Sequence, residues 1–183
     1  MVAGCGTFGE QPLLDQRDAE LTQLANLVAV STVKEGNGAV DVFIGNGQSL
    51  VVGSTTQSLS VISNIYDPTR NEIGYSSGGS NVNISGQITG GSLGGLLNYR
   101  NQVLDPTKNA LGRLAIGMAS VINTQQHLGM DLNGASGADM FTVAVPVVLP
   151  SSSNSGSGSV SGTLINAGDL TNSVNKLVFQ GSN

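Results

Sequence analysis

The sequence predicts an α+β protein, in which packed α-helices carry an inserted antiparallel β-meander and lead into a truncated, mostly β domain. Three observations predict this fold class. Apolar residues recur at helical spacing over residues 11–30 and again over residues 90–128. Between these regions apolar and polar residues alternate, and Gly-Asn-Gly turns separate the alternating runs. After residue 139, short strand-like runs flank a stretch rich in serine and glycine.

The first helix is predicted over residues 11–30, after a flexible arm at residues 1–10. Pro12 suits a first helical turn, where its missing N–H has no helical partner. Asp15 and Asp18 lie near the positive end of the helix dipole. The apolar residues that share one helix face are Leu14, Leu21, Leu24, Leu27 and Val28.

Consecutive antiparallel strands are predicted for the middle of the chain. Val40, Val42 and Ile44 occupy every second position, as expected of a half-buried strand. Gly-Asn-Gly turns at residues 36–38 and 45–47 bracket this run, and Asn-Gly tolerates the positive φ angles of tight hairpins. Further strands are predicted at residues 50–52, 58–63, 72–76 and 82–85.

A second helical region begins at Gly90, and Ser92 is expected to cap its N-terminus. Asp105-Pro106 interrupts this region, because proline cannot donate a hydrogen bond to a continuing helix. A new helix, for which Pro106 suits the first turn, is then predicted over residues 106–128.

These elements divide the chain into a flexible arm and two folded parts. Residues 11–139 form a mixed helical and β-meander domain, and residues 140–183 begin an outer β domain. Residues 151–159 (SSSNSGSGS) have the composition of a flexible linker. The runs at residues 160–166 and 176–180 can form one hairpin but cannot close a sheet, since an isolated hairpin is only marginally stable. We therefore expect the chain to be a fragment.

Composition excludes several classes of function. Charged residues make up only 10% of the chain, against about 25% in an average soluble domain. A net charge of −5 provides no basic surface for phosphates, so a nucleic-acid partner is not expected. No apolar run approaches the roughly 18 residues of a membrane-spanning helix, so a membrane partner is not expected either. One cysteine (Cys5) and one histidine (His127) exclude a disulfide framework and the usual zinc sites, and we expect no metal or cofactor.

One sequence motif raises the possibility of catalysis. Gly90-Gly91-Ser92-Leu93-Gly94 matches the G-x-S-x-G pattern that holds the nucleophile of many hydrolases. A triad also needs a histidine and an acid, for which the chain offers His127 and Asp105. These two residues stand at opposite ends of one predicted helix, too far apart for a hydrogen bond. Helix capping by Ser92 is the better interpretation, and we do not expect an enzyme.

Acidic and amide residues near the end of the second helical region resemble half of a calcium loop. Asp131, Asn133 and Asp139 have oxygen ligands, but the glycine and glutamate positions of such a loop do not fit. Turn chemistry is therefore the favoured interpretation.

Two stretches, residues 13–30 and 90–134, carry a specific resemblance. Its marks are Leu14-Asp15-Gln16-Arg17-Asp18, Gly91-Ser92-Leu93-Gly94-Gly95, Tyr99-Arg100, Leu104-Asp105-Pro106, Asn109-Ala110-Leu111-Gly112, Asn123-Thr124-Gln125-Gln126-His127 and Asp131-Leu132-Asn133-Gly134. In order and spacing these segments resemble the central region of the flagellar hook-associated protein 1 family, the hook–filament junction proteins. Residues 160–183 are similar, more loosely, to the first strands of the next, mostly β domain of that family.

The resemblance implies a non-catalytic structural subunit of the bacterial flagellum at the hook–filament junction. It implies export by the flagellar secretion system without a cleaved signal, and hence an extracellular location. The implied partners of the full-length protein are the hook protein, the second junction protein and further copies of itself. The long terminal helices of the family have no counterpart in this chain, so the chain alone is expected to be monomeric.

For the matched residues the resemblance implies packing rather than chemistry. Arg17 and Arg100 are expected to form ion pairs with Asp15, Asp18 or Asp105. The expected helical core consists of Leu14, Leu21, Leu93, Leu97, Leu111, Leu114, Met118 and Ile122.

Three alternatives stay open at this point. The first is a flagellin-like subunit or the second junction protein of the same axial assembly. The second is a surface adhesion module, which the serine, glycine and asparagine content favours. The third is a serine hydrolase that uses Ser92.

Overall fold

The computed structural model describes residues 11–144 and 146–171, and it divides into two compact units between Arg100 and Asn101. The predicted arm at residues 1–10 and the predicted strand at residues 176–180 lie outside the described residues. The described helices and strands are, in chain order, α1 (Gln11–Leu27), β1 (Val30–Lys34), β2 (Val40–Ile44), β3 (Gln48–Val52), β4 (Thr55–Thr56), β5 (Leu59–Ser63), β6 (Asn71–Ser77), β7 (Ser80–Asn83), α2 (Gly91–Tyr99), a π-helix (Arg100–Leu104), α3 (Asp105–His127) and a 3-10 turn (Ala167–Asp169).

The first unit contains two antiparallel sheets, whose strands follow α1 and precede α2 in the chain. Strands β1 to β4 form one sheet in sequence order, and strands β5 to β7 form the other. Each strand therefore pairs with its neighbour in the chain, which confirms the predicted meander and the α+β fold class. Strand β1 was not predicted, because its sequence (VSTVK) lacks a regular alternation of apolar and polar residues. In the structure most of its residues are exposed.

The Gly-Asn-Gly turns connect strands as predicted. Gly38 and Gly47 have φ angles of 88° and 101°, a region that residues with a Cβ avoid. Val30 of β1 faces Ile44 of β2, and this register turns Val42 and Ile44 inward. The alternating run thus lies between β1 and β3 in its sheet.

The core of the first unit joins the sheets to the helices. Ile44 is fully buried at its centre. Buried side chains from the end of α1, from α2 and from both sheets surround it, so this core is formed between helices and sheets rather than between helices alone. Its buried members are Val28, Ile44, Tyr75, Ile84, Ile88 and Leu97.

Helical turns continue without interruption from Gly91 to His127, where a break was predicted at Asp105-Pro106. A π-helix occupies Arg100–Leu104, directly before the proline. Pro106 lies in the first turn of α3, where a missing N–H breaks no helical bond. The hydrogen-bonding pattern thus changes from α to π before the proline, and the helical turns do not end there.

In the second unit, α3 leads into an irregular segment. A single bridge pairs Met130 with Ser136, and the 3-10 turn at Ala167–Asp169 packs against α3. Residues 140–144 and 146–171 contain no strand, although strands were predicted there. An extended segment needs a neighbouring strand to satisfy its backbone groups, and none is present in the described part of this unit. Among the described helices none has both the length and the apolar character needed to cross a membrane.

Candidate functional site

The glycines at the start of α2 allow two helices and a turn to meet. The Ala29 N–H donates to the Thr89 carbonyl at 2.7 Å, and the Gly45 N–H donates to the Ala29 carbonyl at 2.9 Å. Gly91 has a φ of 56°, and a Cβ at this position would collide with the backbone of Leu27 and with the following residue. The glycine-rich motif therefore serves close packing of α2 against the end of α1.

The predicted cap at Ser92 is wrong. The N-cap residue of α2 is Gly90, with φ 64° and ψ 174°, and none of the described side chains caps this helix end. Ser92 is exposed in the first turn of the helix. Because the chain enters α2 through two glycines in positive-φ conformations, the helix begins two residues earlier than a serine cap requires.

The acid considered for a catalytic triad stands far from the histidine. Asp105 begins α3 and His127 ends it, a separation of about 33 Å along the axis at 1.5 Å per residue. His127 Nε2 instead lies 2.7 Å from Oδ1 of Asp139, and both side chains are more than half exposed. Asp105 therefore cannot orient His127 as a catalytic base.

The segment that resembled a calcium loop is closed by its own backbone. Asp131 Oδ1 accepts hydrogen bonds from the N–H groups of Asn133 and Ala135, both at 2.8 Å. Hydrogen bonds from the Ala135 and Asn133 backbone lower the pKa of Asp131. Within residues 11–144 and 146–171 no three metal-ligating side chains come together.

A buried carboxylate in β6 is the centre of a polar cluster in the first unit. Glu72 is only 5% exposed, yet it is charged and surrounded by donors. Arg70 Nε lies 2.8 Å from its Oε1, and Arg100 Nη2 lies 3.1 Å from its Oε2. Asn64 Nδ2 donates to Oε1 at 3.2 Å, and Arg100 Nη1 also donates to the Asn71 carbonyl at 2.7 Å. The cluster therefore ties Arg100, the first residue of the π-helix that follows α2, to sheet β5–β7.

Two opposing effects set the pKa of Glu72. Burial alone raises it, because the charged form is poorly solvated. Hydrogen bonds from Ser85, Arg70 and Asn64, together with the charge of Arg100, outweigh burial and lower the pKa to about 2. The carboxylate is therefore ionised at every physiological pH.

The ion pairs expected from the sequence are found only in part. Arg17 pairs with Asp18 at 2.8 Å on the surface of α1. Arg100, for which Asp15, Asp18 or Asp105 was expected, pairs with Glu72 instead. Sequence reasoning missed Glu72 because the two residues are 28 positions apart and no local spacing relates them.

The predicted helical core positions divide into buried and exposed groups. Leu97 is buried in the core, and Leu93 packs against it. Leu21 and Ile122 are half-buried. The remaining predicted core positions are exposed in the described chain: Leu14 at 40%, Leu111 at 66%, Leu114 at 60% and Met118 at 57%. In the described part of the chain these four side chains have no apolar layer over them.

Three of the exposed side chains form one face of α3. Leu111, Leu114 and Met118 follow a spacing of three and four residues, and Val121 (69% exposed) continues it. We call this surface the α3 apolar face. Part of this face lines a shallow groove between α3 and the 3-10 turn. The groove is lined by Ala110, Arg113, Leu114, Gly117, Met118, Val121, Ile122, Ala167 and Gly168.

An exposed apolar helix face of this kind marks a surface that packs against another protein segment or another subunit. Residues 6–141 match the family described as "Flagellar hook-associated protein FlgK helical domain". The chain belongs to this family.

Relatives and a solved structure agree with the family. The chain is 37% identical over 169 residues to flagellar hook-associated protein 1 of Escherichia coli K12, covering 91% of this chain and 31% of that protein. It is 35% identical over 173 residues to the protein of the same name from Salmonella typhimurium LT2, covering 93% and 31%. The structure of the flagellar hook junction protein FlgK from Burkholderia pseudomallei superposes with a TM-score of 0.79 at 37% identity, covering 88% of this chain and 30% of that one. The chain thus spans about a third of the length of these relatives.

Proposed function

We propose that this chain is part of a non-catalytic structural subunit of the bacterial flagellum, located at the hook–filament junction. The observation that carries the proposal is the family match over residues 6–141, together with relatives named as hook-associated and hook junction proteins. The site geometry agrees, because the glycine-rich motif and Glu72 hold elements together and Ser92 stands in an exposed helical turn.

The proposal includes the location and the partners of the complete protein. A junction subunit acts outside the cell, and we infer export by the flagellar secretion system without a cleaved signal. Its partners are then the hook protein, the second junction protein and other copies of itself. The 183-residue chain alone is expected to sediment as a monomer at all concentrations, and a trimer or filament would contradict this.

We also infer that the α3 apolar face is a packing surface in the complete protein. Leu111, Leu114, Met118 and Val121 are each more than half exposed, and a continuous apolar helix face is normally covered. Since the chain spans about a third of its relatives, most of the polypeptide that can cover this face lies outside it. Leu14 of α1 is expected to be covered in the same way.

Immunogold electron microscopy of intact flagella tests the location. Antibodies raised against this chain are applied to the bacterium that carries it, with antibodies absorbed on the purified chain as the control. A compact cluster of gold between hook and filament is the expected result. Label along the whole filament would instead indicate a flagellin-like subunit, and no flagellar label would favour an adhesion module.

The packing inference is tested by comparing one substitution in two lengths of protein. Met118→Glu is expected to change the unfolding free energy of the 183-residue chain by less than about 0.5 kcal/mol, because the side chain is exposed there. In a protein of the relatives' full length it is expected to destabilise by about 2–4 kcal/mol, since a charge replaces a buried apolar group. Gln125→Glu, which adds the same charge at an exposed polar position of α3, is the matched control. Equal, small effects of Met118→Glu in both proteins would refute a covered face.

A further inference from the structure

The chain that follows α3 folds back beside the last turns of that helix. The Gly129 N–H donates to the Gln126 carbonyl at 3.0 Å, and the Gly137 N–H donates to the Gly129 carbonyl at 2.9 Å. The loop between these glycines is closed by Asp131. Residues 137–141, which we call the return segment, therefore lie against the end of α3.

Asn123 is the one buried side chain of α3 among the described residues, and it is polar. It is 7% exposed, and both functions of its amide bind the return segment. Its Oδ1 accepts hydrogen bonds from the N–H groups of Met140 and Phe141, at 3.0 and 2.9 Å. Its Nδ2 donates to the Phe141 carbonyl at 2.7 Å. One side chain thus supplies the hydrogen bonds that a neighbouring strand would give to an extended backbone.

Two other contacts attach the return segment to α3, and both are weaker or less specific. His127 pairs with Asp139, but these side chains are 54% and 62% exposed, so the pair contributes little to stability. Gly137 lies so close to the Gln126 carbonyl that a Cβ would not fit, yet this contact only permits the approach. The buried amide of Asn123 is the contact that specifies register.

We propose that Asn123 is a positioning residue that fixes the return segment on α3 and so sets the point from which the chain leaves the helical domain. An amide is required because it both donates and accepts at neighbouring backbone groups. A buried amide without these partners would destabilise the helix, so the return segment and Asn123 depend on one another. This inference stands independently of the location proposed for the protein.

Amide hydrogen exchange in the whole 183-residue chain tests the proposal. In Asn123→Ala, the Met140 and Phe141 amides are expected to exchange about tenfold faster or more, because each loses an acceptor. The amides in the middle of α3 are expected to keep their rates. Thr124→Ala, which removes an exposed side-chain bond to the Ser120 carbonyl on the same helix, is the matched control and should leave Met140 and Phe141 unchanged.

The conservative variant separates positioning from a general loss of structure. Asn123→Asp keeps the acceptor for Met140 and Phe141 but loses the donor for the Phe141 carbonyl. Protection at these two amides is therefore expected to be greater in Asn123→Asp than in Asn123→Ala, and below that of the unsubstituted chain because the second carboxylate oxygen repels the Phe141 carbonyl. Unchanged exchange of Met140 and Phe141 in Asn123→Ala would overturn the proposal. If the Asn123→Ala substitution also unfolds α3, the Asn123→Asp variant provides the test. Complete loss of protection at Met140 and Phe141 in Asn123→Asp, with α3 still folded, would contradict the proposed role of the acceptor.

Discussion

Replacing Glu72 by glutamine is the sharpest test of what holds the first unit together. The substitution keeps the size and shape of the side chain but removes its charge. It leaves Arg100 beside a neutral group; its side chain is 22% exposed, and its buried Nε has no hydrogen-bond partner among the described residues. Arg70 loses the same charged partner.

The magnitude follows from the pKa of Glu72. Its surroundings lower the pKa from 4.5 to about 2, which corresponds to about 3 kcal/mol in favour of the charged form in the folded state. We therefore expect Glu72→Gln to lower the free energy of unfolding by about 3 kcal/mol at pH 7. For a unit of this size the melting temperature should fall by roughly 10–20 °C.

The pH dependence gives the assay its specificity. On acidification the unfolded chain takes up the proton near pH 4.5, whereas the folded chain does so only near pH 2. The stabilisation by the charged carboxylate is thus complete above pH 4.5 and is lost as the pH falls toward 2. Urea unfolding followed by circular dichroism at several pH values should show the difference between the two proteins shrinking over this window.

Glu20→Gln is the matched control, because Glu20 is exposed on α1. Its free energy of unfolding should stay within about 0.5 kcal/mol of the unsubstituted chain at every pH. A Glu72→Gln variant that is as stable as this control at pH 7, or whose deficit is the same at pH 2.5 and pH 7, would refute the assigned role of the cluster.

Three further predictions concern the same unit. Gly91→Ala should destabilise it by several kcal/mol or prevent folding, since a Cβ at this position collides with the end of α1. Gly95→Ala, which places a Cβ in open space on the same helix, should stabilise the unit by up to about 1 kcal/mol. Thermal melts measure both variants, and equal effects would contradict the packing argument. Tyr75→Phe removes the hydroxyl that donates to the Ser49 carbonyl at 2.7 Å and should lower the free energy of unfolding in urea by about 1 kcal/mol. Tyr99→Phe, at an exposed position, should leave this free energy unchanged. A Tyr75→Phe variant as stable as the unsubstituted chain would contradict a stabilising role of this bond. Ser92→Ala should leave both the melting temperature and any background ester hydrolysis unchanged. A fall in the rate of hydrolysis without a change in melting temperature would support the hypothesis that Ser92 is a nucleophile.

Local patterns were sufficient to predict the hairpins. Alternation from Val40 to Ile44 and the Gly-Asn-Gly turns specify strands and their connections within a few residues, so no distant information was needed. Strand β1 was not predicted, because a polar edge strand has no apolar pattern of its own. The helix break predicted at Asp105-Pro106 is wrong. Proline breaks the interior of an α-helix, but it is tolerated in the first turn of a helix, and here that turn follows a π-helix.

Interactions between distant residues could not be predicted in the same way. The partners of Glu72 come from a loop, a strand end and a helix, and only the folded chain brings them together. Helical spacing places Leu111, Leu114 and Met118 on one apolar face, but it cannot state whether the layer that covers this face belongs to the same segment. Asn123 carried no signal beyond its place in the family motif, because an asparagine on a helix is usually exposed.

The bond between Ala29 and Thr89 also has a consequence for the order of folding. Both sheets join strands that are neighbours in sequence, so each hairpin closes only a short loop. The Ala29–Thr89 bond closes a loop of about 60 residues, a step with a larger entropic cost. During synthesis, which delivers the N-terminal end first, both sheets can form once Asn83 is free. Helix α1 is made before α2, so Leu24 and the following Val28, which pack in the core with Leu97 of α2, stay uncovered until α2 has been made.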